Sequence, residues 1–275
     1  MNSTSSNTRF FIIVVFGIIL FWAAAYPLSR YVSSAAFGEP TGAIYNAINV
    51  LFTALAFTGV VITFRFQYIE SERSAKDLVE RSIFELLTTF TTDEFQKVKD
   101  EAFLALLIAV RNKAYAEYLS SRLFPIGRKP FPASAAAAYA ELKPELNGMS
   151  LDEVIALDRN ARLKLDNVLN FFAMLSHRQA AATVIRHVDF AYDWWRPTLW
   201  IIAQLQKEIK DGSEEIGLYC RNPMLHTTLE RLDEIYQYPP LTPGPAVYRY
   251  LAIHPWLKEQ QIDPAFFTHI PENAA

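Results

Sequence analysis

Hydrophobic positions form two long uncharged stretches near the start of the chain and recur at helical spacing in most of the remainder. The first stretch runs from Phe10 to Ser29 and the second from Pro40 to Phe64, and neither contains a charged residue. An α-helix needs roughly 20 apolar residues to cross a lipid bilayer. The pattern therefore predicts transmembrane helices at 10–29 and 41–64, joined by a short loop over 30–40.

A cleavable signal peptide is the alternative interpretation of the first stretch. The small residues of "AAAYP", at positions 23–27, could form a cleavage site. The apolar centre of a signal peptide is only about 7 to 15 residues long, however. Because this stretch is longer and a second one follows closely, the sequence favours a permanent helical hairpin.

The basic residues near the two stretches predict their orientation. Arg9 precedes the first stretch, and only Arg30 lies in the connection, together with Glu39. Four basic residues follow the second stretch within a short distance: Arg65, Arg73, Lys76 and Arg81. Since cytoplasmic flanks collect Lys and Arg, residues 1–9 and everything after residue 64 should be cytoplasmic, and the loop should lie outside.

The chain after residue 64 has the spacing of helices throughout, with no convincing alternation of the β type. We predict a stalk helix over 65–90, a helical domain over 91–238 and an irregular, Pro-rich tail over 239–275. Within the domain we predict a single helix from Asp93 to Arg122, opened by a capping box of Thr91 and Glu94. A second capping box, Ser150 with Glu153, should open another long helix. The predicted fold is all-α, a transmembrane hairpin followed by a cytoplasmic helical bundle.

Composition excludes several classes of function. The chain has 26 basic and 29 acidic residues, so it lacks the positive charge typical of direct nucleic-acid binding. The single cysteine, Cys220, cannot form an intrachain disulfide and is interpreted as a partly buried thiol.

No catalytic motif is recognisable, and we expect no enzyme activity, cofactor or metal. The phosphate-binding, dinucleotide-binding and nucleophile-elbow motifs are absent, and the five histidines do not have metal-ligand spacing. His177 and His187, with Asp189 nearby, are interpreted as polar residues at helix ends. Asp158, Arg162 and Asp166 follow one another at four-residue intervals, which predicts a salt-bridged exposed helix face.

A polar stripe interrupts the second uncharged stretch. Asn46, Asn49 and Thr53 recur at three- and four-residue spacing, which places them on one helix face. Polar amides in lipid are costly unless they face a partner or water. The stripe therefore predicts either helix association, within the hairpin or between copies, or a polar path inside an oligomer.

The segment from Leu165 to Pro197 resembles a family of small bacterial membrane proteins. In that family two N-terminal transmembrane helices precede an all-α cytoplasmic domain, which carries an Asn-rich "N-x-x-N-F" helix and a Trp or Trp-Trp pair near its end. Six residues of this chain occupy those places: Asn167, Asn170, Phe171, Phe172, Trp194 and Trp195. Read physically, they either pack in the core or form an aromatic patch on which a partner docks.

The resemblance implies a function in bacterial defence. Members of the family recur as phage abortive-infection proteins, and the two-helix membrane effectors of some retron systems are similar. We therefore expect a toxic effector of the inner membrane that forms homo-oligomers in lipid and is restrained by a sensor, such as a retron reverse transcriptase with its RNA-linked DNA. The alternatives are a membrane anchor or scaffold that forms no pore, and a membrane-tethered hydrolase.

Overall fold

The computed structural model describes residues 12–13, 15–17, 19–20, 23, 40–188, 190–220 and 224–268. Every regular element in this described part is a helix, which confirms the all-α class. The chain divides into two compact units, residues 1–78 and 79–275. The described positions between 12 and 23 are helical, but most of the predicted loop over 30–40 lies outside the described residues.

The helices are numbered here in chain order over the described residues. The first seven are α1 (Pro40–Phe90), α2 (Asp93–Arg111), α3 (Lys113–Ser121), α4 (Ser134–Leu142), α5 (Leu151–Ser176), α6 (Ala182–His187) and α7 (Tyr192–Asp211). They are followed by α8 (Glu214–Tyr219), α9 (Leu225–Tyr236), α10 (Pro245–Ile253) and α11 (Pro255–Glu259). Short 3-10 turns occur at 144–146, 179–181 and 264–267.

Helix α1 runs without interruption through the predicted span and the predicted stalk. Its last part, residues 79–90, belongs to the second unit, where Ile83 and Phe90 are fully buried. The folded domain therefore begins earlier than the predicted residue 91. The apolar residues near the end of α1 anchor it in the core rather than facing solvent along a free stalk.

The predicted single helix from Asp93 to Arg122 is two helices, because the chain breaks at Asn112. This residue has extended backbone angles, and its side-chain oxygen accepts a hydrogen bond from the Tyr115 amide at 2.9 Å. The carboxylate of Asp263, far along the chain, accepts from the Lys113 amide at 2.9 Å. The N-cap of α2 is Thr92, which accepts from the Phe95 amide, so the predicted capping box at Thr91 was wrong by one residue.

The capping box of Ser150 and Glu153 is confirmed and opens α5, the long helix that packs along α2. Helix α7 packs against α2, α3 and α9 and contains the most buried residues of any helix in the second unit. Pro197 lies inside α7, beyond the first turn. Its position is tolerated because its neighbours Trp195, Leu199 and Trp200 hold α7 in the core.

The segment 239–275, predicted to be irregular, contains α10, α11 and a 3-10 turn. Four of its apolar residues are buried in the main core: Val247, Leu251, Leu257 and Phe266. Tyr248, Tyr250 and Trp256 pack against that core. Pro245 and Pro255 occupy the first positions of α10 and α11, where proline is favourable. In the sequence alone, the many prolines of this segment indicate only helix breaks.

Candidate functional site

Helix α1 exposes large apolar side chains over most of its predicted span. The exposed residues include Val50, Phe52, Phe57, Val60, Val61 and Phe64. It is the one described helix that is long and apolar enough to cross a membrane, and none of its most apolar window is buried inside the protein. A surface of this kind is costly in water and favourable in hydrocarbon, which indicates membrane association.

The predicted polar stripe is exposed on α1. Asn46, Asn49 and Thr53 all have exposed side chains, and none of the three makes a hydrogen bond within the described part of the chain. The other threonines of the span differ. The hydroxyl of Thr58 donates to the Ala54 carbonyl at 2.7 Å, and that of Thr63 donates to the Gly59 carbonyl at 2.8 Å. Among the polar side chains described above, those of the stripe are therefore available for hydrogen bonds to another group, whereas the hydroxyls of Thr58 and Thr63 are already bonded within α1.

The opposite face of α1 is half covered. Leu51, Leu55, Thr58 and Ile62 are half-buried, whereas the residues between them are mostly exposed. At 3.6 residues per turn, the centre of this face lies about 180° around the helix from the centre of the polar stripe. The half-buried apolar face and the polar stripe therefore lie on opposite sides of α1, and one contact surface cannot cover both.

The aromatic residues of the Leu165–Pro197 motif divide into core and surface. Phe171, Phe172 and Trp195 are buried, and the ring of Phe171 stacks on that of Phe90 with 4.8 Å between centroids. The ring of Phe172 contacts that of Trp195 at 6.1 Å. These three side chains join the end of α1 and helices α5 and α7 in one aromatic core.

The other residues of the motif are on the surface. Asn167 and Asn170 are exposed on α5, and 62% of Trp194 is exposed at the start of α7. Burial alone therefore does not account for Trp194, because a large aromatic side chain in water is unfavourable unless it meets a partner. The structure does not bring these surface residues and the buried ones into a single site.

A buried ion pair lies close to Trp194 in sequence. Arg196, 5% exposed, donates to both carboxylate oxygens of Asp233, through Nε at 2.7 Å and Nη2 at 2.9 Å. Asp233 also accepts from the hydroxyl of Tyr192 at 2.9 Å and from the indole nitrogen of Trp200 at 3.3 Å. Every bond joins α7 to α9, so the pair fixes how these helices pack.

A cavity of about 420 Å³ opens beside Arg196. The guanidinium group lies 4.5 Å from the ring centre of Tyr238 and 4.8 Å from that of Tyr250. Asp193 accepts a hydrogen bond from the Tyr238 hydroxyl, and Nδ1 of His254 is buried without a hydrogen-bond partner. Burial lowers the pKa of His254, and the charge of Arg196 lowers it further, so the imidazole is neutral at neutral pH.

A second buried carboxylate lies at the centre of the domain. Asp158 is 0% exposed, which contradicts the predicted exposed salt-bridged face of α5. It accepts from the hydroxyls of Tyr115 and Tyr118, both at 2.7 Å, and from Nε of Arg162 at 2.8 Å. The hydroxyl of Tyr139 is also in reach, at 3.3 Å. Four-residue spacing with Arg162 identified that one partner correctly, but the tyrosines come from other helices.

No group of three potential metal-ligating side chains occurs among the described residues. His177 is the C-cap of α5 and His187 is the last residue of α6, and both are exposed, so the two residues lie at helix ends as the sequence indicated. Asp189 lies outside the described residues. Cys220 is buried, deeper than the partial burial expected. The network around Asp233 was missed because its donors and acceptors are far apart in sequence.

Comparison with known proteins identifies no relative: no family model, no curated protein and no solved structure matches the chain. The family resemblance of residues 165–197 therefore remains a prediction. A functional proposal has to rest on the geometry of the two units.

Proposed function

We propose that this chain is an effector of a bacterial anti-phage system that acts on the inner membrane, as in abortive infection. The helical segments within 10–29 and 41–64 form a hairpin in lipid, with both termini in the cytoplasm. The exposed apolar surface of α1 supports this proposal. The low charge of the connecting segment and the basic residues that follow Phe64 support the orientation.

One observation carries the proposed activity: the polar stripe of α1 has no hydrogen-bond partner among the described residues and lies opposite the half-covered face. In the hairpin, the first helix covers the face that contains Leu51, Leu55 and Ile62. Asn46, Asn49 and Thr53 then point away from the hairpin. Because an amide both donates and accepts hydrogen bonds, the stripe of a second copy is a complementary partner. Assembly of several copies through this stripe opens a polar path.

The helical domain holds this assembly in check through a sensor. We propose that the sensor is a retron reverse transcriptase with its RNA-linked DNA, contacted as a protein complex rather than through nucleic acid. The exposed Trp194 offers an anchor for such a partner. Restraint is a shift of population, so the sensor has to bind the closed form more tightly than the assembled form.

The test is expression of the chain without its sensor, read with a membrane-potential dye. The wild-type chain should depolarise the cells, and Asn46→Leu with Asn49→Leu should abolish depolarisation while membrane insertion stays normal. The matched control is Thr58→Val with Thr63→Val, since both hydroxyls already bond their own helix. The control should depolarise like the wild type. A wild-type chain that is well inserted but leaves the potential intact contradicts the proposal.

A non-permeabilising anchor or scaffold is the second candidate, favoured by the exposed Trp194 of the helical domain. Replacing both spans with an unrelated hairpin separates the two functions. A scaffold keeps its activity after this replacement, whereas an effector that depends on the stripe loses it. Trp194→Ala should have the opposite result: a scaffold loses its activity because partner binding is removed, whereas an effector keeps its activity because the spans are unchanged.

A further inference from the structure

A cavity of about 120 Å³ lies where α3 ends against α5 and α7. Its apolar walls are Leu119, Leu123, Leu165 and Ile202, and its polar walls are Arg122, Arg128, Arg162 and Asp166. Three guanidinium groups thus share one small space. Such a space has room for a few water molecules or for one small polyatomic ion.

Two of the arginines are held in place on the ring of Tyr118. Arg162 is fixed by its ion pair with Asp158, and its guanidinium carbon lies 5.5 Å from the centre of that ring. The guanidinium carbon of Arg122 lies 4.9 Å from the same centre. Nε of Arg122 is buried and has no hydrogen-bond partner in the protein. A buried donor of a charged group without an acceptor is costly, so an ion or a water molecule in the cavity that accepts from this atom would be stabilising.

The third arginine comes from a loop that packing holds in one conformation. Nε of Arg128 donates to the Phe124 carbonyl at 3.1 Å. The preceding residue, Gly127, has φ +66°, and a Cβ at that position would lie 2.8 Å from Ile216. The loop therefore approaches α8 as closely as glycine permits, and Arg128 keeps its place at the cavity without help from a ligand.

The net charge of the cavity is positive. Arg162 is neutralised by Asp158, which leaves Arg122 and Arg128 against the single carboxylate of Asp166. Partial desolvation raises the pKa of Asp166, which shows that its negative charge is disfavoured there despite the nearby Arg162. A doubly charged phosphate group matches Arg122 and Arg128 better than a carboxylate does, because it carries more charge and presents three terminal oxygens instead of two.

We propose that this cavity binds a phosphate group, either of inorganic phosphate or of a larger phosphomonoester whose remainder stays outside. Arg122 supplies its buried Nε–H as a donor, and Arg128 closes the site from the loop. Asp166 weakens the site by repulsion. This proposal does not depend on the activity of the spans.

The test is isothermal titration calorimetry, in which inorganic phosphate is added to the full-length chain in a phosphate-free detergent solution. Arg122→Gln should raise Kd about tenfold or more, because it removes a charge-assisted hydrogen bond. Asp166→Asn should lower Kd about threefold, because it removes a repulsive charge. Should Arg122→Gln not fold, Arg128→Gln serves instead, since its side chain is exposed and its loop is held by Gly127.

The matched control is Arg159→Gln, an exposed arginine on the same helix α5 that does not line the cavity. Its Kd should equal that of the wild type. A parallel titration with uridine monophosphate distinguishes the two sources, since tighter binding than inorganic phosphate indicates a larger ligand and equal binding indicates the free ion. Absence of binding to the wild type at millimolar phosphate overturns the proposal, as does an Asp166→Asn variant that binds more weakly.

Discussion

The two units of the chain treat polar side chains in opposite ways. In the helical domain, the buried carboxylates of Asp158 and Asp233 each accept several hydrogen bonds from other helices. In the span of α1, Asn46 and Asn49 have no partner among the described residues. The domain thus satisfies these buried groups by its own hydrogen bonds, whereas the amides of α1 are left to bond with groups outside the described residues.

The largest expected effect comes from breaking the buried ion pair. Asp233→Leu leaves the charge of Arg196 buried without a counter-ion, so we expect a loss of about 3–5 kcal/mol in the free energy of unfolding. The group does not escape by losing its proton, because an arginine side chain stays protonated even when it is buried. Denaturant unfolding of the full chain in detergent measures the loss.

The double variant Arg196→Met with Asp233→Leu is the control for that experiment. It removes both charges, so it should be clearly more stable than Asp233→Leu alone. Equal instability of the two variants would mean that the hydrogen bonds of Tyr192 and Trp200, rather than the uncompensated charge, dominate.

A smaller effect is expected at Asp158. Asp158→Asn removes the charge shared by Tyr115, Tyr118 and Arg162, but the Arg162 side chain is 20% exposed and can turn to water. We expect a loss of about 2 kcal/mol in the free energy of unfolding. Asp152→Asn, at an exposed position in the first turn of the same helix, should cost less than about 1 kcal/mol. A cost at Asp158 no greater than this control would show that its network is not stabilising.

Alkaline pH should weaken the same cluster. Burial, and then the hydrogen bond to Asp158 and its charge, raise the pKa of Tyr118 to about 12. The unfolded chain titrates near the ordinary tyrosine pKa of about 10, so the stabilising contribution is complete below that pH and is lost as pH rises from about 10 to 12. The free energy of unfolding should fall by up to about 1.4 kcal/mol per pH unit from this group. A Tyr118→Phe chain with an unchanged slope between pH 9 and pH 11 would contradict this assignment.

The smallest effect concerns the span. Asn46→Leu with Asn49→Leu should leave the unfolding of the helical domain unchanged but weaken association between copies by about 0.6 kcal/mol for each lost hydrogen bond. Analytical ultracentrifugation in detergent measures the association. If the variant associates as well as the wild type, the stripe is not the contact between copies. The proposed role of the Asn46 and Asn49 amides, which distinguishes this unit from the helical domain, would then be contradicted.

The sequence was most informative where one helix contains the whole signal. The capping box at Ser150, the apolar length of α1 and the polar stripe each lie within a single element, so spacing alone identifies them. The break at Asn112 and the burial of Asp158 depend on Asp263 and on three tyrosines from other helices. No local pattern contains these partners, because tertiary contacts decide whether a polar residue is solvated or enclosed.

The clamp of Asp263 on the start of α3 has a consequence for the order of events during synthesis. The Asp263 amide donates to the Val110 carbonyl, Arg111 donates to the Gln260 carbonyl, and Lys113 reaches the Ala265 carbonyl. These bonds hold the junction between α2 and α3, and their partners are residues that the ribosome adds about 150 positions later. The apolar part of α1 is therefore synthesised long before the domain can finish folding. Under the proposed function, this order exposes the segment to the insertion machinery while the domain is still incomplete.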